Sequence, residues 1–167
     1  MYIIRSLIPR SKSTILGLSR PLSMVAGAQL AKHQEKINAD PDKVWGMMLE
    51  KVERPDKYVP MVKTVEIPRR FSDGSVERIM VAETPKGDIT INEYISISDI
   101  TKTVVFLLKN DPNYYGFVTN TVFEAQDGTT ILDYTVNWTP YKKETEGPDM
   151  ANSIRNAVLH AKCIAEA

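Results

Sequence analysis

A single acidic side chain stands in the middle of an apolar strand pattern near the centre of the chain. Alternate residues from 89 to 97 share one side of a predicted strand, and those beside Glu93 are Ile89, Ile91, Ile95 and Ile97. Burying a carboxylate without a partner costs several kcal/mol or forces the group to protonate. We therefore expect Glu93 to have a polar partner inside the protein.

Arg78, on the preceding predicted strand, is the candidate partner of Glu93. The two residues come opposite each other if the turn at Pro85-Lys86 contains two residues, whereas a one-residue bulge at Gly87 would place Tyr94 there. The pair could orient a carboxylate, phenol or carbonyl of a ligand in an apolar pocket. It could equally be a structural ion pair that closes the sheet, and the sequence leaves both interpretations open.

The last predicted hairpin supplies further candidate ligand-binding residues. A two-residue type I′ turn at Asp127-Gly128 would pair Phe123 with Leu132 and so fix which side chains share a face. With this register, the face turned toward the interior contains Phe117, Thr121, Tyr134 and Trp138. Aromatic residues such as the last two are more often part of a core than of a binding site.

An amphipathic helix is predicted for residues 148–167, with Asp149 in its first turn. Its apolar stripe recurs at spacings of three and four and comprises Met150, Ile154, Ala157, Val158, Ala161, Ile164 and Ala165. The alanines indicate a close approach or an unfilled gap beneath the helix, so Ile154 and Val158 are candidate cavity residues. His160 lies on the flank of the stripe and Cys163 well off it, which favours surface positions for both.

The order of predicted elements defines an α+β fold. A strand at residues 28–39 precedes a helix that begins at Pro41, with Asp40 as its cap, and ends at Pro55. Six strands then follow without an intervening helix, which indicates an antiparallel meander. We expect a helix-grip fold of order β-α-β6-α, in which a curved sheet of about seven strands wraps around the C-terminal helix alone.

Composition restricts the function classes. Five of the 21 basic residues and none of the 21 acidic residues lie at positions 1–34. The remainder has 16 basic and 21 acidic residues and is therefore acidic. Because nucleic-acid binding needs a basic surface, this composition argues against a nucleic-acid partner. A single cysteine and two histidines argue against a disulfide, a metal site or another cofactor. The length of 167 residues, 43% of them hydrophobic, fits one soluble domain, while the oligomeric state stays open.

The first 26 residues have the composition of an organellar transit peptide, because they are rich in Arg and Ser and contain no acid. Basic residues interrupt every apolar run, which argues against a secretory signal and against an integral membrane segment. We predict a mitochondrial location and a ligand-binding domain at residues 27–167. The alternative is a disordered N-terminal arm on a cytoplasmic protein.

Four short runs carry a resemblance to a known family. The run LEKVERPDKYVP at residues 49–60, leading into the second strand, resembles the START/Bet v1-like (SRPBCC) superfamily. Within that superfamily, YYGF at 114–117, VNWTP at 136–140 and AVLHAK at 157–162 are most similar to the AtaL-like group. The resemblance implies an apolar cavity between the sheet and the long helix. It implies no catalytic residue, because that group has no firmly assigned reaction.

Three functions fit these observations. The first is binding or carriage of a small hydrophobic or aromatic molecule, such as a lipid or isoprenoid, without catalysis. The second is a polyketide cyclase or isomerase, with Glu93 or His160 as general base and Arg78 or Tyr134 stabilising an enolate. The third is a co-chaperone or accessory subunit of a mitochondrial quinone-synthesis complex, which would need an exposed apolar patch. The sequence does not identify the ligand.

Overall fold

The computed structural model describes residues 29–84, 86–142 and 149–167. Strand β1 (Gln29–Ile37) leads into helix α1 (Pro41–Glu53) and a short 3-10 helix (Pro55–Lys57), and the chain ends in helix α2 (Met150–Ala165). Between them lie β2 (Val62–Arg70), β3 (Val76–Thr84), β4 (Gly87–Ser98), β5 (Thr103–Lys109), β6 (Tyr114–Glu124) and β7 (Thr130–Pro140). The predicted order β-α-β6-α is confirmed, and the transit peptide predicted for residues 1–26 lies outside the described residues.

The seven strands form one antiparallel sheet in the order β1-β7-β6-β5-β4-β3-β2. Strands β2 to β7 are therefore a meander, and β1 closes the order by pairing with β7. Both helices lie against the concave face of the sheet, with α1 contacting β6 and β7 and α2 contacting β1 and β7. The expectation that the C-terminal helix covers this face alone was wrong, because α1 also has an apolar stripe to bury.

Helix α1 begins where the sequence predicted. Asp40 caps it by accepting hydrogen bonds from the backbone amides of Asp42 at 2.8 Å and Lys43 at 3.4 Å, and Pro41 occupies the first turn. The apolar side chains that it buries against the sheet are Val44, Trp45, Met47, Met48 and Val52. This stripe covers part of the concave face that α2 leaves uncovered.

Helix α2 runs along β1 and β7 at one edge of the concave face. Asp149 is its cap and accepts from the Asn152 amide at 3.1 Å. At the other end, Glu166 accepts from the Asn38 amide at 2.8 Å, and this contact ties α2 to the end of β1. The buried residues of the helix are Ile154, Val158, Ala161 and Ala165, as the spacing predicted.

The turn between β6 and β7 differs from the predicted one by one residue. The Gly128 amide donates to the Ala125 carbonyl and the Ala125 amide donates to the Thr129 carbonyl, both at 2.9 Å, so the loop has three residues. Gly128 has φ +80°, a conformation that glycine adopts without strain. Because side chains alternate along a strand, this extra residue shifts the pairing, and Val122, not Phe123, lies opposite Leu132.

The concave face has two halves with different exposure. In the closed half, under α1, the apolar side chains are buried, as for Ile95, Val104, Val122 and Leu132. In the open half, toward the β3–β4 turn and the end of β7, Met80 is buried but the other apolar side chains are half-buried or exposed, as for Ala82, Ile89, Ile91, Leu108 and Trp138. The halves meet at the level of Arg78 and Glu93.

Candidate ligand-binding site

Arg78 and Glu93 form a buried ion pair at the boundary between the two halves. Arg78 on β3 lies directly opposite Glu93 on β4, and its Nη2 and Nε donate to Glu93 Oε2 at 2.6 and 3.0 Å. This confirms the predicted pairing, because Thr84 pairs with Gly87 and no bulge intervenes. The alternative with Tyr94 opposite Arg78 is wrong, since Tyr94 pairs with Glu77.

Arg78 also holds the end of helix α1. Its Nη1 donates to the carbonyl oxygens of Lys51 and Val52, each at 3.0 Å. These are among the last carbonyls of the helix, which have no partner within it and carry the negative end of its dipole. One guanidinium therefore joins α1 to β3 and β4 and gives the open half a polar floor.

Lys51 is a buried amine that the sequence interpretation missed. Its Nζ lies 4.2 Å from the centre of the Tyr134 ring and 5.6 Å from that of Phe106. With the Asn120 amide oriented to satisfy both of its polar atoms, Asn120 accepts from Lys51 Nζ at 2.8 Å and donates to the Thr119 carbonyl at 3.1 Å. The sequence did contain a signal for its burial, because Lys51 follows Met48 by three residues and so lies on the buried stripe of α1.

The pKa of Lys51 is lowered to about 7, chiefly by burial and also by the nearby positive charge of Arg78, while the charge of Glu93 opposes the shift. The amine and its ammonium form are therefore both populated near neutral pH. The neutral amine can accept a proton, and the ammonium can donate to an anion. This combination makes Lys51 the most chemically versatile of the buried groups described.

Tyr134 lies on the concave face, as predicted, and is fully buried. Its hydroxyl donates to Met48 Sδ at 3.4 Å, a weak acceptor, and burial raises the pKa of the phenol well above its usual range. Tyr134 therefore stays protonated and supplies a neutral donor. Lys51, Asn120 and Tyr134 together form the inner polar cluster, a name used below for these three residues.

The open half also contains a polar atom that the protein does not satisfy. The indole Nε1 of Trp138 is buried and has no hydrogen-bond partner within residues 29–84, 86–142 and 149–167. A buried donor without an acceptor is destabilising, so such a group is a reasonable contact for a ligand oxygen. Ile91 lies in the same half, while Ile95, on the same strand face, is buried in the closed half.

Two predicted site residues lie on the wrong face of the sheet. Phe117 pairs with Leu107 on the convex face and is partly exposed there, and Thr121 exchanges a hydrogen bond of 3.1 Å with Thr103. Both were assigned to the interior through the two-residue turn at Asp127-Gly128. The three-residue loop moves the neighbouring residues Val118, Asn120 and Val122 to the interior instead.

The candidate residues on α2 are buried or exposed as the helical spacing predicted. Ile154 and Val158 are buried between the helix and the sheet. His160 is exposed, with its Nε2 3.4 Å from the Lys57 carbonyl, and Cys163 is also exposed. His160 therefore cannot act as a base inside the concave face, and the structure brings it near neither Arg78 nor Glu93.

A separate cleft of about 640 Å³ lies at the opposite end of the molecule from the open half. It is bordered by the end of β1, the β6–β7 turn and the last turns of α2, and its polar side chains include Lys36, Asp40, Lys162 and Glu166. Within the described residues, no cluster of three His, Cys, Asp or Glu side chains could hold a metal ion. No described helix is long and apolar enough to cross a membrane.

Residues 29–163 match the family model AtaL, described as acetylaranotin biosynthesis cluster protein L. The chain belongs to the AtaL family. This match covers most of the sequence and confirms the resemblance on which the START/Bet v1-like assignment was based. No curated protein sequence matches the chain.

Solved structures place this AtaL-family protein in the START/Bet v1-like fold. A START superfamily protein from Mycobacterium smegmatis superposes with a TM-score of 0.61 at 12% identity, over 78% of this chain and 90% of its own. The Zhui aromatase/cyclase from Streptomyces sp. R1128 gives 0.60 at 16% identity, over 83% and 88%. Major latex-like protein 151 from Panax ginseng gives 0.65 at 12% identity, over 83% and 95%. At these identities the similarity establishes the fold only.

Proposed function

We propose that this AtaL-family protein binds a small apolar molecule on the open half of its concave face and acts as a carrier. The observation that supports the proposal is the row of apolar side chains on the concave face that α1 does not cover. Ile89 is 45% exposed although it shares a strand face with Ile95, which is 0% exposed. Fully burying an exposed isoleucine is worth roughly 1.5 to 3 kcal/mol, so covering a half-exposed one contributes about half of that, and several together favour binding of an apolar molecule.

Polar groups at the edge of this surface would orient the ligand. Trp138 Nε1 offers a donor that lacks an acceptor among the described residues, and the Arg78–Glu93 pair forms the floor. A mostly apolar wall with a few convergent polar groups is the usual composition of a small-molecule site. The composition of residues 1–26 supports a mitochondrial carrier, and this address is part of the proposal.

A cyclase is the second candidate, and Lys51 is the observation that favours it. A base with a pKa near the working pH is well suited to proton abstraction, and burial brings the pKa of Lys51 to about 7. Incubation with a linear triketide ester, followed by absorbance, would detect ring closure. A rate above that of buffer, lost in Lys51→Met, would establish the enzyme and displace the carrier proposal.

Binding of the neutral fluorescent probe N-phenyl-1-naphthylamine tests the carrier proposal. Ile89→Gln should weaken binding of the probe about tenfold, because it removes apolar area from the open half. Leu107→Gln is the matched control, since Leu107 is 43% exposed on the convex face of the adjacent strand, and its affinity should stay within about twofold of the parent. No fluorescence increase with the parent protein, or equal losses in both variants, would refute the proposal.

A further inference from the structure

The buried charges of the protein do not balance. The charged side chains that are buried in the described part of the chain are Lys51, Arg78 and Glu93, two cationic groups and one carboxylate. Glu93 is bound by Arg78 through two hydrogen bonds. Glu93 is therefore not available as a counter-ion for the ammonium form of Lys51. This is unusual, because buried charges in proteins are normally paired.

Among the described residues, no carboxylate forms a hydrogen bond or a salt bridge with Lys51, and the nearby carboxylate of Glu93 is already bound by Arg78. The ammonium group has three N–H donors, and Asn120 supplies a neutral acceptor for one of them. The Tyr134 and Phe106 rings offer only their faces, and the Tyr134 hydroxyl is directed at Met48. A position for an anionic oxygen beside Nζ would be stabilised by the ammonium and by the nearby guanidinium of Arg78.

We propose that the ligand is an acid, with one ionised oxygen group, a carboxylate or an ionised enol or phenol, that pairs with Lys51. The inference rests on the proposed carrier function, because it places the apolar part of the same ligand on the open half. The acidic group is then the innermost part of the bound molecule, and the inner polar cluster is its binding site.

Lys51 and Arg78 share the Phe106 ring as a neighbour. The centre of that ring lies 5.2 Å from the Arg78 guanidinium and 5.6 Å from Lys51 Nζ. Met48 on α1 accepts the hydrogen bond from the Tyr134 hydroxyl, and its unbranched side chain adapts easily to a new neighbour. We therefore expect an acidic group that reaches Nζ from the open half to displace the side chains of Phe106 and Met48.

Isosteric acids and amides test the inference. Isothermal titration calorimetry would compare 2-naphthoate with 2-naphthamide, and decanoate with decanamide, on the full chain at pH 7. Each acid should bind about tenfold more tightly than its amide, because only the acid supplies a counter-ion. Lys51→Met should remove this preference, so that each acid and its amide bind this variant with equal affinity. Lys43→Met, at an exposed position of the same helix, should keep the preference.

The outcomes separate this inference from the carrier proposal. Equal affinities for acids and amides on the parent protein would overturn the acid assignment while carriage of apolar molecules stands. A preference that survives Lys51→Met would also overturn it, because another group would then be the counter-ion. Failure of every probe, neutral or acidic, would refute the carrier proposal itself. Circular dichroism checks that Lys51→Met is folded, and Lys51→Gln provides a second variant if it is not.

Discussion

The two halves of the concave face have the same strand pattern and opposite exposure. Ile95 and Ile89 share one face of β4, yet the first is fully buried and the second is 45% exposed. The difference arises from helix α1, which packs over the closed half and ends where Arg78 holds its last carbonyls. Strand alternation therefore determines which side chains face inward, whereas the position of a helix determines which of them remain accessible to a ligand.

The largest effect is expected at the ion pair that separates the two halves. Arg78→Met should destabilise the protein by about 3 to 5 kcal/mol, because it leaves a buried carboxylate without its counter-ion and two helix carbonyls without a donor. Chemical denaturation of the parent and the variant measures this loss. A change below about 1 kcal/mol would mean that water already reaches the pair.

The double variant Arg78→Met with Glu93→Gln is the control for that experiment. Replacing a buried pair by neutral groups is often close to neutral, so the double variant should recover much of the lost stability. The recovery will be incomplete because the carbonyls of Lys51 and Val52 still lose their donor. Additive losses would show that Arg78 stabilises α1 independently of Glu93.

Truncation of apolar side chains tests the comparison between the halves directly. Leu132→Ala, in the closed half, should cost about 3 kcal/mol, because Leu132 is fully buried and its removal leaves a cavity. Ile89→Ala, in the open half, should cost less than about 1 kcal/mol, because much of that side chain is already in water. Equal losses in denaturation experiments would contradict the division into halves.

Lys51, in the closed half, should make the free energy of unfolding depend on pH. Its pKa is about 7 in the folded protein and near 10.5 in the unfolded chain, so the unfolded state binds more protons between these values. Stability should therefore rise with pH in this window, by up to about 1.4 kcal/mol per pH unit. The difference in unfolding free energy between the parent and Lys51→Met, measured from pH 7 to 10, isolates this contribution. A constant difference would show that the amine is solvated.

The element order and the ion pair were predictable because local signals specify them. Asp40-Pro41 marks the start of α1, and the polar pair interrupts two apolar strand faces at matching positions. The arrangement of α1 was not predictable, because periodicity shows that a helix has an apolar stripe and not which surface the stripe covers. Lys51 was missed for a different reason: its spacing from Met48 places it on the stripe, but a lysine on a helix is normally read as exposed.

The β6 register was mispredicted because Asp127-Gly128 suits two kinds of turn. Gly128 adopts a positive φ in the observed three-residue loop, and a two-residue type I′ turn would require a positive φ at the same glycine. The sequence signal is thus identical for two registers that direct opposite side chains inward. Asn120, a member of the inner polar cluster, was overlooked as a result.

The smallest effect distinguishes these two registers in solution. Phe117→Ala should change the affinity for N-phenyl-1-naphthylamine by less than about twofold, because Phe117 is on the convex face, away from the open half. Under the register predicted from the two-residue turn, the same change would remove an aromatic side chain from the site and weaken binding of the probe by about tenfold. Trp138→Phe is the positive control, since Trp138 lies in the open half and its replacement should weaken binding of the probe. A strong effect of Phe117→Ala with none at Trp138 would mean that the ligand binds the convex face.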